Sequence, residues 1–183
     1  VANGLADRIN RVLEALDVDD INALTTAGKT IRTLVLDATL PDAILQAISL
    51  AYEQLVASSA DHEDISFAVR SSATAEDLAD ASFAGQQETF LNIFTLKNIS
   101  DAIKKVFASF YSASVISYKT TKNISLSAGA MCVCIQKMIR AKTSGIMFTA
   151  DPQTGFKDVI SISANYGLGE SIVQGTINPD EYI

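Results

Sequence analysis

The sequence predicts an α+β fold with a largely antiparallel sheet, because helical and strand-like patterns occupy different parts of the chain. In the first third, apolar residues recur at the three- and four-residue spacing of an amphipathic helix. From residue 67 onward, most apolar segments are short, and several alternate with polar residues. Turn-forming residues separate these later segments, which favours strands joined by turns.

Three helices are predicted before residue 60. The first spans Leu5 to Leu16, and the second spans Ile21 to Val35 with Gly28 as a weak point inside it. Pro41 suits the first turn of a third helix, which continues to Leu55.

Alternation from Phe67 to Ser71 predicts the first strand, with Arg70 on the same face as Ala68 and Ser72. Residues 71–87 are rich in small and acidic residues and are expected to form a long structured loop. A second strand is predicted at Thr89–Ile93.

A single long helix is expected next, with apolar residues from Ile99 to Tyr118 and either Asn98 or Ser100 as its cap. Further strands are predicted at residues 131–139, 144–150 and 159–164, and a last one near 172–177. Between them, residues 151–155 and 166–170 have the composition of turns.

The change of pattern divides the chain into a mainly helical part, residues 1–66, and a strand-rich part, residues 67–183, both within one domain. Hydrophobic residues make up 48% of the sequence and charged residues 19%, a balance that favours a folded core. A net charge of −7 argues against non-specific binding to nucleic acid or to anionic membranes. No apolar run approaches the roughly 20 residues of a membrane span.

The two cysteines, Cys132 and Cys134, are too few for a disulfide scaffold, and with one histidine they make no metal set. We expect both to be buried core thiols in a reducing, cytoplasmic compartment. His62 lies between two acids and is expected to be an exposed linker residue. The chain begins at Val1 and ends in a strand-like segment, from which we expect a piece of a larger protein.

Arg70 is the first candidate binding residue. An arginine on a short apolar strand leading into Ser71 and Ser72 could hold a phosphate bidentately. The alternative is a surface cation, or an ion pair with an acid at residues 76–80. Residues 66–92 carry one cation and four anions. Either backbone N–H groups and hydroxyls bind the phosphate with help from Mg²⁺, or the acids are simply solvated.

Gln136 ends an apolar strand and shares its face with Cys132 and Cys134. Its amide could read a base edge, because it offers both a donor and an acceptor. The alternative is a hydrogen-bonded amide at the edge of a sheet. Lys137 begins a basic cluster that continues to Lys142; such a cluster either attracts phosphate or forms a solvated hairpin tip.

Two glycines, Gly167 and Gly169, allow either close approach to a ligand or a tight turn between strands. The sequence contains neither a P-loop motif nor a dinucleotide-binding glycine motif after a strand. The residues alone therefore predict an α+β domain with a candidate anion site.

Longer motifs carry a more specific signal. The segment from Phe67 to Thr89 contains FAVRSSATAED followed by SFAGQQET. Later motifs are QKM at 136–138, SGIMFT at 144–149, DP at 151–152, TG at 154–155, YGLGE at 166–170, QG at 174–175 and NPDEY at 178–182. Together they resemble the ATP-binding domain of the phosphoenolpyruvate synthase and pyruvate phosphate dikinase family. The helical first third is similar only in position and general character.

The resemblance implies an ATP-grasp fold, in which two α+β lobes hold ATP between them. Members of the family use ATP, with Mg²⁺, to phosphorylate a histidine on a separate swivelling domain. In the synthase branch, pyruvate, ATP and water then become phosphoenolpyruvate, AMP and phosphate. The implied partners are ATP and the phosphohistidine and pyruvate-binding domains of a longer chain.

The resemblance also implies roles for single residues. Arg70 matches the arginine that contacts the ATP phosphates and acts in catalysis. Gly85 and Thr89 match nucleotide-contacting positions around the loop that closes over the phosphates, and Gln136 matches a nucleotide-binding glutamine. Neighbouring residues are weaker candidates: Ser71, Ser72 and Lys137.

The sequence departs from the family pattern in two places. The family has a phosphate-binding lysine near its N-terminus, whereas Val1 to Asp20 contains no lysine. The Mg²⁺-binding acids of the family are expected after Ile183, so no metal ligand is assigned within the chain. We therefore expect the chain alone to perform no complete turnover.

Two other functions are compatible with the same motifs. Relatives that phosphorylate rifampin share the Arg–Ser–Ser loop, and a nucleotide-binding module without catalysis would also retain it. The dikinase branch fits the glycine motifs less well than the synthase branch. Unpaired strand edges make a homodimer a further expectation.

Overall fold

The computed structural model describes residues 4–59, 65–73, 77–78, 81–82, 88–122 and 131–183. The chain divides into two compact units, Val1–Met138 and Ile139–Ile183. Every strand pair among the described residues is antiparallel, and three helices precede the first strand. The predicted α+β class with a largely antiparallel sheet is confirmed.

The first unit begins with the three predicted helices: α1 (Leu5–Glu14), α2 (Ile21–Leu36) and α3 (Asp42–Ala57). The Asp20 side chain caps α2 by accepting a 2.8 Å hydrogen bond from the Asn22 N–H. Pro41 is the residue before α3 and does not lie in its first turn. Helix α2 runs through Gly28 without a break. The glycine lets the helix pack closely against the backbone at Tyr111. A Cβ there would lie 3.0 Å from the Tyr111 carbonyl oxygen.

The central sheet of the first unit has three strands, β1 (Phe67–Ala73), β4 (Thr89–Ile93) and β5 (Met131–Lys137), in the order β4-β1-β5. Strand β1 continues to Ala73, two residues beyond its predicted end at Ser71 and into the segment predicted as loop. A separate pair, β2 (Asp77–Leu78) and β3 (Ala81–Ser82), also falls within that segment. The remainder of the predicted loop lies outside the described residues.

Two helices, α4 (Leu96–Ser109) and α5 (Ala113–Thr121), stand where one long helix was predicted. The single-helix prediction is wrong because Ser112 starts a new helix, accepting a hydrogen bond from the Val115 N–H on its side chain. The predicted caps are also wrong. Helix α4 is capped by Thr95, whose hydroxyl accepts a hydrogen bond from the Asn98 N–H.

One face of β1 forms the core of the first unit against α4. Phe67 and Val69 have no solvent exposure and pack with Ile99 and Val106, which are equally buried. Complete burial of such side chains stabilises the fold by about 1.5–3 kcal/mol each. The core therefore fixes which face of the sheet points outward.

The second unit contains β6 (Thr143–Phe148), β7 (Ser161–Tyr166), α6 (Glu170–Val173) and β8 (Asp180–Tyr182), with sheet order β6-β7-β8. The strand predicted near residues 172–177 is wrong, because α6 continues to Val173 and a turn containing Gly175 follows it. Gly167 precedes α6 and Gly175 follows it, with φ values of 85° and 64° that favour glycine and interrupt extended structure. The described helices include none that is both long and apolar enough to span a bilayer.

Candidate functional site

The outward face of the three-stranded sheet carries the arginine singled out by the sequence. Along β1, Phe67 and Val69 are buried, whereas Arg70 and Ser72 are exposed. Successive side chains of a strand point to opposite faces. The predicted alternation is confirmed, and Arg70 stands on the face away from the core.

Strand pairing places residues of both neighbouring strands beside Arg70. It is directly opposite Thr89 on β4 and Cys134 on β5, so the three residues form one row across the sheet. Directly opposite residues in antiparallel strands have α-carbons about 4.5–5.5 Å apart. Thr89 and Cys134 are both exposed, as Arg70 is.

The adjacent rows extend this surface along β1 and β5. Gln136 is paired with Ala68 on one side of the Arg70 row, and Cys132 is paired with Ser72 on the other. Gln136, Ser72 and Cys132 are exposed. We call this surface the polar face; its members are Arg70, Ser72, Thr89, Cys132, Cys134 and Gln136.

The charge of Arg70 is available to a ligand. Within the part of the chain that the structure describes, its guanidinium makes no ion pair and no hydrogen bond. Glu88, next to Thr89, instead pairs with Arg32 at 3.8 Å between two half-exposed side chains. Glu76 and Asp80, considered above as partners of Arg70, lie outside the described residues, as does the side chain of Asp77.

Two of the weaker candidates lie on the other side of the sheet. Ser71 alternates with Arg70, and Lys137 with Gln136, so both share the face of Phe67. The Lys137 ammonium donates a 2.9 Å hydrogen bond to the hydroxyl of Ser59, which is itself buried. The structure therefore brings together Arg70, Ser72, Thr89 and Gln136 but separates Ser71 and Lys137 from them. Gly85 and His62 lie outside the described residues.

The expectation of buried thiols is wrong, since Cys132 and Cys134 are both exposed. The pairing of β5 turns Met131, Val133 and Ile135 toward the core, and the cysteines point the other way. Their place on the face of Gln136 was not used to predict exposure. The signal was available in the alternation that puts them on the same side as Gln136.

A cavity of about 420 Å³ lies on the opposite side of the sheet, beneath α3. It is lined by apolar side chains of α3, β1, α4 and β5, including Ile48, Leu55, Phe67 and Ile135. It offers no cation to a phosphate. An anionic ligand is therefore expected on the polar face and not in this cavity.

Lys119 on α5 is a buried cation that the sequence reading did not single out. Its ammonium nitrogen lies 3.8 Å from the centroid of the Phe110 ring, and burial lowers its pKa to about 8. The sequence signal for its burial was its position four residues after the apolar Val115, which is buried on the same helix.

Hydrogen bonds within the second unit hold both of its predicted turns, at residues 151–155 and 166–170. The Asp151 carboxylate accepts hydrogen bonds from the Thr154 hydroxyl and the Gln153 N–H, which lower its pKa. The Gly167 N–H donates to the Lys142 carbonyl at 2.9 Å and closes the end of the β6–β7 pair. Among the described residues, no group of three or more His, Cys, Asp or Glu side chains could hold a metal ion.

Comparison with known proteins agrees with the resemblance in the motifs. The family described as pyruvate phosphate dikinase, AMP/ATP-binding domain, matches residues 1–183. The chain is 48% identical to a phosphoenolpyruvate synthase of Neisseria meningitidis serogroup B and 47% identical to one of Pseudomonas aeruginosa. It is 44% identical to the phosphoenolpyruvate synthase of Escherichia coli K12.

Each of these alignments covers 98% of the chain and 23% of the relative. The chain therefore spans about a quarter of the length of these relatives. The family match extends through the helical first third, where the motifs gave no specific signal. The chain belongs to the pyruvate phosphate dikinase AMP/ATP-binding domain family.

Proposed function

We propose that the polar face binds the phosphates of ATP and that the chain is the ATP-holding part of a phosphoenolpyruvate synthase. The observation that carries the proposal is the position of Arg70. It is an exposed arginine without a partner among the described residues, in one row with Thr89, on a chain of an AMP/ATP-binding family.

The groups of the polar face suit a nucleotide. The Arg70 guanidinium donates two parallel hydrogen bonds to phosphate oxygens and offsets the charge that builds on the transferred phosphoryl group. The Thr89 and Ser72 hydroxyls donate to the remaining oxygens. Gln136 is a diagonal neighbour of Arg70, about 7–8 Å away, and supplies both a donor and an acceptor to the other end of the nucleotide.

The polar face does not fit Mg²⁺. The described members of that face supply guanidinium, hydroxyl, thiol and amide groups but no carboxylate, whereas Mg²⁺ is usually held by one or two carboxylates besides the phosphates. The Mg²⁺ ligands of the proposed reaction therefore lie elsewhere than on the polar face.

The finer features of the proposal follow from the family. ATP would lie in an ATP-grasp-like arrangement to which residues 1–66 and 67–183 both contribute. The whole protein would phosphorylate a carrier histidine and convert pyruvate, ATP and water into phosphoenolpyruvate, AMP and phosphate. The names of the relatives support this reaction over phosphorylation of rifampin.

Replacement of Arg70 tests the proposal. Arg70→Ala removes charge-assisted hydrogen bonds worth about 1.5–3 kcal/mol, so ATP affinity is expected to fall roughly tenfold to more than a hundredfold. Arg70→Lys keeps the charge but loses the bidentate geometry and should give an intermediate loss. Isothermal titration calorimetry with ATP measures both variants.

Arg11→Ala is the matched control, because Arg11 is an exposed arginine on α1. It should leave the dissociation constant for ATP unchanged, and thermal unfolding should show that all variants fold. With the same substitutions in the full-length protein, phosphohistidine formation from ATP should be lost with Arg70→Ala and kept with Arg11→Ala. Wild-type ATP affinity in a folded Arg70→Ala protein would exclude the proposed phosphate site.

A further inference from the structure

We propose that Ser109 is a positioning residue of the ATP site, whose buried hydroxyl holds the backbone N–H of Glu88 and so keeps Thr89 opposite Arg70. The inference rests on the proposed function, since it concerns how one edge of the polar face is held in place. Ser109 is the last residue of α4, which packs on the core side of the sheet, so it touches no ligand on the polar face.

The hydroxyl of Ser109 is oriented by a bond within its own helix. Ser109 is 2% exposed, and its hydroxyl donates to the Val106 carbonyl oxygen at 2.7 Å. A hydroxyl carries one proton and two lone pairs, so with the proton used the oxygen acts only as an acceptor. It accepts the Glu88 N–H at 3.4 Å. This contact ties the end of α4 to the residue that precedes β4.

Strand β4 needs such an anchor at Thr89. It lies at the edge of the sheet and pairs only with β1 among the described residues. The Thr89–Arg70 pair is the last of that ladder, and the next regular pair joins Phe90 to Val69. Beyond it the register shifts, and Asn92 has a φ of 56°. The far end of the ladder therefore does not by itself set the position of Thr89, and the end of an edge strand opens readily when few bonds hold it.

A second contact on Glu88 is weaker. Its carboxylate lies 3.8 Å from the Arg32 guanidinium, and the two side chains are 49% and 43% exposed. Water screens such exposed ion pairs, which contribute little to stability. The hydroxyl of Ser109 is buried, where a hydrogen bond is electrostatically stronger than in water. Ser109 is therefore the stronger of the two anchors.

The first test is the ATP affinity of Ser109→Ala, measured by isothermal titration calorimetry. Loss of the hydroxyl frees the Glu88 amide, so Thr89 is held less firmly and ATP affinity is expected to fall roughly three- to tenfold. Ser109→Cys fills the same space and keeps a weak acceptor, so it should lose less. Urea unfolding shows which variants are folded under the conditions of the titration, and Ser109→Cys carries the test if Ser109→Ala is not.

Ser100→Ala is the matched control. Ser100 lies on the same helix, and its hydroxyl donates to the Leu96 carbonyl oxygen at 3.0 Å. It makes the same kind of bond to its own helix as Ser109 does, but the Glu88 N–H donates to Ser109 and not to Ser100. ATP should bind this variant within about twofold of the wild-type affinity.

A double-mutant cycle separates positioning from a general loss of structure. Thr89→Val removes the hydroxyl that is proposed to contact the phosphates. If Ser109 acts through Thr89, Ser109→Ala should change ATP affinity by less than about twofold in the Thr89→Val protein. A purely structural role would lower the affinity by the same factor in both backgrounds.

Hydrogen exchange of the Glu88 amide tests the anchor without ATP. It is followed by nuclear magnetic resonance on the ¹⁵N-labelled protein. We expect the exchange to quicken about tenfold in Ser109→Ala, because the amide loses its acceptor, and to stay unchanged in Ser100→Ala.

The results separate this inference from the proposed function. If Arg70→Ala weakens ATP binding but a folded Ser109→Ala protein binds ATP as the wild type does, the positioning role is refuted and the proposed function stands. An equal loss of affinity in both Thr89 backgrounds, or an unchanged exchange rate of the Glu88 amide, also refutes the positioning role. If ATP does not bind the folded wild-type protein, the proposed function fails and this inference fails with it.

Discussion

Shortening Phe67 to alanine should destabilise the first unit far more than the same change at an exposed phenylalanine. Phe67 has no exposed surface and packs in the core formed with Ile99 and Val106. Truncation of a buried phenylalanine to alanine costs about 3–5 kcal/mol through lost burial and the cavity left behind. In a protein of this size, such a loss lowers the melting temperature by roughly 6–20 °C.

The matched control is Phe94→Ala, since Phe94 follows β4 and is 51% exposed. That variant should lose less than about 1 kcal/mol. Urea unfolding followed by circular dichroism measures both variants against the wild type. A Phe67→Ala protein that is no less stable than Phe94→Ala would refute the assignment of this strand face to the core, and with it the outward position of Arg70.

Three further predictions concern Lys137, Thr95 and Lys119. Lys137→Met should leave the dissociation constant for ATP within about twofold, because the ammonium contacts Ser59 on the face away from Arg70; calorimetry showing a tenfold loss would contradict this placement. Thr95→Ala should lower the free energy of unfolding by about 0.5–2 kcal/mol through loss of the α4 cap, whereas Ser100→Ala, at a rejected cap position, should cost distinctly less in the same urea titration. The pKa of Lys119 is lowered to about 8 in the folded protein, so the unfolded chain binds more protons above that pH. Stability should therefore gain from this group as pH rises from about 8 toward the ordinary lysine pKa near 10.4, and Lys119→Met should remove that part of the rise; identical pH profiles of unfolding free energy for the two proteins would exclude the effect.

The spacing of apolar residues was sufficient to predict those helices and strands whose pattern lies within a single segment. The helices α1 to α3 and the strand at Thr89–Ile93 carry their own periodicity, so their existence followed from spacing alone. The break between α4 and α5 did not, because the apolar spacing continues across Ser112 while its hydroxyl starts a new helix. Capping competes with periodicity at such a position, and the pattern shows only the periodicity.

The site was predictable in part for the same reason. Alternation placed Arg70 and Ser72 on one face and put Gln136 beside the cysteines, but it could not pair the strands. The row of Thr89, Arg70 and Cys134 depends on strand register. Register is a property of two paired strands and cannot be read from the sequence of either strand alone. The error about the cysteines arose because thiols are usually buried, whereas here alternate apolar residues of β5 supply the core contacts.

The central claim is that ATP binds on the polar face, and nuclear magnetic resonance of the ¹⁵N-labelled protein tests it most directly. On titration with ATP, the backbone amides of Arg70, Thr89, Cys134 and Gln136 should show the largest chemical-shift changes, and Arg70→Ala should reduce them. Shifts concentrated around the cavity beneath α3, with the amides of the polar face unmoved, would contradict the account.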